Sequence, residues 1–178
     1  LDVVLATHPD ADHIGGLIPV FESYTVAAFV ESGNTHSSSV TEALDRAAGE
    51  EGVIRMVARR GMRINLGRGV VFTILYPDHN VARAESNEAS IVGQLSYGST
   101  TVLLTGDAPQ SVEYLLVAKD GQELESTVLK LGHHGSRTSS AWAFLSTVSP
   151  ELAIISVGEG NRYGHPHAEV LERLAKIK

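Results

Sequence analysis

Six of the chain's eight histidines fall in three tight clusters, and each cluster directly follows an apolar run with strand character. The pairs are His8 and His13, His133 and His134, and His165 and His167. Asp107, in Thr105-Gly106-Asp107, occupies a fourth position of the same kind. Loops at strand ends are where α/β folds assemble their sites. A chain that carries imidazoles and a carboxylate at four strand ends has to bring those ends to one rim. That requirement points to a layered α/β domain.

The rest of the pattern agrees. Strands are expected over Asp2–Thr7, Ala27–Val30, Arg55–Arg59, Val70–Tyr76, Ser90–Tyr97, Thr100–Thr105, Thr127–Leu131 and Leu152–Val157. Helices are expected over Ile14–Tyr24, Ser39 to about Glu50, Pro109–Lys119, Ser140–Val148 and Ala168–Lys178. Gly98-Ser99 between two strand patterns reads as a hairpin turn. Ser39 and Glu42 form a candidate capping box. Trp142 shares an apolar helix face with Phe144 and Leu145, which reads as core packing. The 178 residues suit one domain, 1–178. Asp2–Thr7 has the continuous apolar character of a strand paired on both edges. The chain opens on that strand, so the expectation is the C-terminal part of a larger domain.

The absence of cysteine excludes disulfides, thiolate metal ligands and a cysteine nucleophile. The longest apolar runs are too short to span a bilayer. The net charge is −7, so composition offers no basic face for nucleic acid. Recognition of phosphate would have to come from local groups or bound cations.

His8-Pro9-Asp10-Ala11-Asp12-His13 places four metal-ligating side chains in six residues. Imidazole and carboxylate together suit zinc, iron or manganese. Asp12 as a helix cap would account for one carboxylate, not for the set. Gly15-Gly16 lets the backbone pass close to whatever the loop holds.

The arrangement His8-x-Asp10-x-Asp12-His13 resembles the His-x-His-x-Asp-His signature of the metallo-β-lactamase superfamily, with Asp10 in place of the second histidine. Thr105-Gly106-Asp107 resembles the strand-end aspartate that bridges two metals in that superfamily. Gly132-His133-His134-Gly135-Ser136 and Asn161-Arg162-Tyr163-Gly164-His165-Pro166-His167 are similar to motifs of its ComEC branch, the C-terminal nuclease-like domains of DNA-uptake proteins. The likeness runs over residues 2–175. The chain departs from the superfamily in two ways. The family's middle-motif histidine is absent, with only Asn87 and Ser90 in that region, and the family's N-terminal strands are absent.

The resemblance implies an αββα sandwich and two divalent metal ions, Zn or Mn. It places His8, Asp10 and either His133 or His134 on the first metal. It places Asp12, His13 and His165 on the second, with Asp107 bridging. The extra carboxylate shifts preference toward manganese. Asp12 would orient the nucleophile or take its proton. His134 or His167 would either protonate the leaving oxygen or orient a ligand. The implied activity is metal-dependent phosphodiester hydrolysis, a deoxyribonuclease degrading one strand of incoming DNA during natural transformation. The implied partners are single-stranded DNA and the rest of a membrane-embedded uptake protein, with this piece a soluble domain that does not span the membrane.

Two other readings stand beside it. One is a hydrolase of the same fold acting on a small ester, such as a phosphorylcholine ester or a lactone, which suits the acidic charge. The other is a non-catalytic domain of a DNA-uptake channel. Arg162 and Tyr163 read either as phosphate and base contacts or as a solvated loop. Ser136, Thr138, Ser139 and Ser140 read as a helix cap, and Arg59, Arg60 and Arg63 as a solvated face. His36 and His79 are given no role.

Overall fold

The computed structural model describes residues 1–50 and 52–177. The C-terminal residue of the last expected helix, Lys178, lies outside the described residues. Two sheets stack face to face. The first is parallel, in the order β1 (Val3–Ala6), β2 (Ala28–Glu31) and β3 (Ile54–Val57). The second runs in sequence order through β4 (Arg63–Gly67), β5 (Val70–Tyr76), β6 (Val92–Tyr97), β7 (Thr100–Leu104), β8 (Val128–Lys130) and β9 (Leu152–Ile154). Pairing is antiparallel from β4 to β7 and parallel from β7 to β9.

Helices cover the outer faces. Helices α1 (Ala11–Ile14), α2 (Leu17–Ser23) and α3 (Ser39–Glu50) lie on the first sheet. Their contact is an apolar layer that includes Val4, Ala6, Ile14, Phe21, Phe29 and Leu44. Helices α4 (Gln110–Asp120), α5 (Trp142–Val148) and α6 (Ala168–Ala175) cover the second, over Leu103, Leu116, Leu129 and Phe144. A third apolar layer, with Val30, Phe72, Ile74 and Ile91, fills the space between the sheets. The order is therefore helix, sheet, sheet, helix.

Alternation explains the apolar run of β1. Val4 and Ala6 face the helices, while Val3 and Leu5 face the second sheet. Both faces are occupied, so the run carries no polar alternation. Gly93 is required for a different reason. A Cβ there would lie 2.2 Å from the Phe72 ring, so the interlayer aromatic occupies the space a side chain would need.

Several sequence expectations change. The helix expected over Ile14–Tyr24 is two, because Gly15-Gly16 interrupts it and the first turn starts earlier, at Ala11. His13 therefore sits on a helix. Strand β4 was not expected, since its polar and glycine content hides an exposed edge strand. The cap of α3 is shifted by one residue: Ser38 Oγ accepts the Thr41 N–H and Thr41 Oγ1 accepts the Ser38 N–H. Trp142 is not core; it is 49% exposed, while Phe144 and Leu145 are buried. Arg60 is not on a solvated face either, because its guanidinium pairs with the buried Asp120 carboxylate and donates to Leu75 O. No helix among the described residues is long and apolar enough to cross a membrane.

The topology positions the site. Strands β7, β8 and β9 are parallel, so the loops leaving their C-terminal ends emerge on one rim. Ile91, leading into β6, donates its N–H to Thr7 O, which ties the end of β1 to the same rim.

Candidate metal centre

The first loop leaves β1 at Thr7 and delivers His8 into the interior, 1% exposed. Its Nδ1 meets Thr7 Oγ1 at 3.0 Å, which leaves Nε2 directed at Asp10 and Asp107, 3.7 and 3.9 Å away. Asp10 is the residue before α1. Its backbone oxygen accepts from His13 and Ile14, and its Oδ1 accepts from Ser86 Oγ. One turn of helix then lifts His13 over the cluster, with Nε2 3.2 Å from Asp107 Oδ1.

Asp107 comes from the second loop, after β7, and is 3% exposed. Its backbone N–H donates to Ser90 Oγ at 3.0 Å. Gly106, at φ +53, makes the turn; a Cβ there would press on Ser90 and Thr7 at 3.0–3.2 Å.

The third loop holds His133 and His134 in the left-handed region, at φ 48° and 54°. Such conformations cost about 1–3 kcal/mol each in a residue with a Cβ and persist only where surroundings impose them. The surroundings here are specific. His133 N donates to Gly106 O, His133 Nδ1 lies 3.1 Å from Thr138 Oγ1, and His134 Nδ1 lies 2.8 Å from Ser156 O. In an extended segment two adjacent side chains would diverge. Here both Nε2 atoms reach toward Asp107 Oδ2, at 4.0 Å from His133 and 3.4 Å from His134. A carbonyl oxygen only accepts, so His134 Nδ1 donates to Ser156 O and its Nε2 faces the cluster. That nitrogen lies 3.1 Å from His13 Nε2 and 3.2 Å from Asp12 Oδ2.

The fourth loop is held by Asn161, whose amide donates to His165 O and Gly158 O and accepts the His165 N–H. The His165 ring lies 5.5 Å from that of His133 and 4.9 Å from that of His167. His167 Nδ1 accepts the Arg137 N–H, so its Nε2 carries the proton. Tyr163, 63% exposed, stacks on His165 at 5.7 Å, and the Arg162 guanidinium covers Tyr163 at 5.2 Å. The loops enclose a cleft of about 450 Å³ lined by Asp10, Asp12, Asp107, His133, His134 and His165, among others.

The electrostatics favour cation binding. Burial, reinforced by His13, lowers the His8 imidazole to about 4, so it is neutral near pH 7. Burial also lowers His133 and His165, with neighbouring histidines adding to it. Burial opposes the charge of Asp107, but His13 beside it and the other surrounding imidazoles outweigh it and hold the carboxyl at about 2. Neutral imidazoles around an ionised carboxylate are the protonation states metal ligation requires.

The residues fit divalent cations. His8, His13 and Asp107 offer donor atoms within 4.8 Å of one another, and so do Asp12, His13 and His134. His8 Nε2 and Asp107 Oδ1 are buried without a hydrogen-bond partner, a state that a cation would resolve. The grouping differs in detail from the expected ligand sets. His13 stands between the two groups, His134 takes the place expected for His165 beside Asp12 and His13, and His165 borders the cleft outside both. Asp10 lies beside His8, and both His133 and His134 face the cluster. Sequence reasoning did not pick out Thr7, Ser86 or the carbonyl of Ser156 and read Thr138 as part of a helix cap; these groups orient the candidate ligands. The one available signal was the polar run Ser86–Ser90 just before an apolar strand.

Comparison with known proteins follows the same lines. The chain is 34% identical over 176 residues to ComE operon protein 3 of Bacillus subtilis (strain 168), a match that takes in 99% of this chain and 22% of that protein. It is 33% identical over 174 residues to competence protein ComA of Neisseria gonorrhoeae, covering 98% of this chain and 22% of that protein. The chain thus spans less than a quarter of the length of these relatives. Among solved structures, Zn(2+)-bound PqqB from Methylobacterium extorquens superposes with a TM-score of 0.51 over 85% of this chain and 62% of its own, at 13% identity, a likeness of fold. The model of the metallo-beta-lactamase superfamily matches residues 1–159, and with four histidine- and aspartate-bearing loops meeting at one rim of two stacked sheets, this chain belongs to that superfamily.

Proposed function

We propose that the chain is a metal-dependent phosphodiester hydrolase whose substrate is a DNA strand, working within a larger DNA-uptake protein. The observation that carries the hydrolase reading is the convergence of His8, His13, His134, Asp12 and Asp107 into two donor groups sharing His13. Two divalent cations, Zn or Mn, held there supply Lewis acidity toward a phosphoryl oxygen and make water nucleophilic near neutral pH.

The chain's own residues do the rest. Asp12 has a side chain 67% exposed and 3.2 Å from His134 Nε2. It is placed at the mouth of the cleft to orient a water and accept its proton. His167, whose Nε2–H lies beside His165, offers a hydrogen bond to the departing oxygen. Tyr163 and Arg162 supply an exposed ring and a cation at the cleft wall, the pairing that single-stranded nucleic acid uses for base stacking and phosphate contact. Relatives named for competence support DNA as the substrate. The net charge of −7 does not oppose it where the phosphate is met by cations rather than by a basic face.

The test is to load the metal-free protein with Mn²⁺ or Zn²⁺ and offer single-stranded DNA, double-stranded DNA and a phosphorylcholine ester in parallel. Cleavage of single-stranded DNA that depends on metal is the expected result. Turnover of the small ester with DNA left intact assigns the site to small substrates. Metal binding without hydrolysis of any substrate makes the domain a non-catalytic one.

A further inference from the structure

We propose that Asn87 is a ligand of the same cation centre, contributing its side-chain Oδ1 as an uncharged oxygen donor beside Asp10 and Asp107. The proposal rests on the metal-centre reading above.

Among the described residues, three buried side-chain polar atoms lack a hydrogen-bond partner: His8 Nε2, Asp107 Oδ1 and Asn87 Oδ1. The first two belong to one donor group of the metal centre. A buried acceptor left unpaired costs about 1–3 kcal/mol, so each one calls for an explanation.

Position supplies it. Asn87 opens a single 3₁₀ turn, Asn87–Ala89, between two serines that hold the metal-centre aspartates. Ser86 Oγ donates to Asp10 Oδ1, and Ser90 Oγ accepts the Asp107 N–H at 3.0 Å. Ile91, next in line, donates its N–H to Thr7 O at 2.9 Å, on the residue that precedes His8. The turn is fixed from behind by buried Ala89 and by the Tyr76 hydroxyl, which donates to Glu88 O. A stretch of six residues therefore touches both aspartates and the root of His8, with Asn87 in its midst.

The chemistry suits the place. Amide oxygens are hard donors that join carboxylates around divalent cations. Asp10 and Asp107 already bring two negative charges beside His8. A neutral oxygen adds coordination there without adding repulsion between ligands. The oxygen and nitrogen of an asparagine side chain exchange places by a simple flip, so the opposite orientation would set an N–H₂ against the carboxylates instead. The two orientations respond oppositely to a carboxylate at residue 87.

The experiment uses the 178-residue chain, stripped of metal and titrated calorimetrically with Mn²⁺ as wild type, Asn87→Ala and Asn87→Asp. Melting of each variant in chelator verifies the fold. Wild type is expected to bind two equivalents. Asn87→Ala should bind at least one of them more weakly, by on the order of 10–100-fold. Asn87→Asp, which keeps an oxygen at the same place, should bind as tightly as wild type or more so. Unchanged affinity for both equivalents in Asn87→Ala overturns the proposal. So does weaker binding by Asn87→Asp than by Asn87→Ala, which would show an amide N–H facing the carboxylates. A wild type that binds neither Mn²⁺ nor Zn²⁺ overturns the metal centre itself, a result distinct from either.

Discussion

His13 Nε2 and Asp107 Oδ1 meet at 3.2 Å, one from the helix that follows β1 in the first sheet and the other from the loop that follows β7 in the second. The contact closes the space between the two sheets at one rim. It places a buried carboxylate among imidazoles from two loops, His8 and His13 from one and His133 and His134 from the other. Neither residue has another reason to be there. Asp107 is almost fully buried, and burial of an ionised carboxylate is costly without compensation.

Asp12 is the exposed member of the cluster, which makes it the cleanest test of catalysis. Asp12→Ala removes no core packing and no buried hydrogen bond. Its melting temperature should stay within a degree or two of wild type, as for most surface changes. Hydrolysis should fall on the order of 10²–10⁴-fold if Asp12 handles the proton of the attacking water. Turnover equal to wild type at full metal loading rejects that role.

Ser86 tests the orientation of Asp10. The hydroxyl holds Asp10 Oδ1 from a loop distant in sequence. Ser86→Ala frees the carboxylate to rotate, and the loss of such an outer partner weakens metal by on the order of 10–100-fold. Competition against a fluorescent chelator measures this directly. Affinity unchanged in Ser86→Ala would show that Asp10 needs no support.

Glu113 makes stability depend on pH. It is 1% exposed on α4, and its oxygens accept the N–H groups of Ser140 and Ala141 at 2.6 and 2.7 Å, which fixes the segment after His133-His134. Burial pushes its carboxyl from 4.5 up to about 7, against those two hydrogen bonds and the charge of Arg173. The folded state thus holds a proton that the unfolded state has released. The associated stability is present in full below pH 4.5 and is lost as pH rises through 7, in all about 3 kcal/mol. Glu113→Gln cannot titrate. Urea melts of both proteins in chelator should show the stability difference moving against wild type between pH 5 and pH 8. A difference constant with pH rejects the assignment, and the histidines common to both proteins cancel.

The candidate site was legible in the sequence because its histidines and Asp107 fall next to strand ends, and strand ends are readable from apolar runs. The four loops at His8, Asp107, His133 and His165 were placed by that rule alone. What it could not supply was the pairing of ligands, which depends on backbone angles. The left-handed conformation of His133 and His134 turns two neighbours toward one point, and no propensity predicts that. The exposed face of Trp142 was unreadable for a related reason. Helical spacing identifies a stripe, but α5 has only seven residues, and its buried face is fixed by Phe144, Leu145 and Val148. Strand β4 escaped because edge strands carry few apolar residues, and the orienting serines escaped because serine is common in every loop.

The layers are unequal, and the last prediction concerns the space this leaves. The first sheet has three strands and the second has six. Strands lie about 4.8 Å apart, so the smaller sheet covers only about half of the larger. Leu104 is packed in the interlayer core, and its cross-strand partners Lys130 and Ile154 lie on the same face of the sheet. Yet Ile154 is 53% exposed and Leu152, two residues along the same face, is 63% exposed. Strand β1 bounds the smaller sheet on this side and pairs with β2 alone among the described residues. Its outer edge offers unpaired backbone next to an uncovered apolar face, a combination that recruits further strands. We propose that where further residues precede Leu1, as the greater length of the relatives allows, they extend the first sheet beyond β1 and cover Leu152 and Ile154. A chain lengthened into those residues should melt higher than the 178-residue chain. The amides of β1 should exchange more slowly in it. The shorter chain should self-associate through the open edge, and Ile154→Lys should reduce that association in sedimentation velocity. A longer chain with the same melting temperature and the same β1 exchange would show that this face is left open in the whole protein.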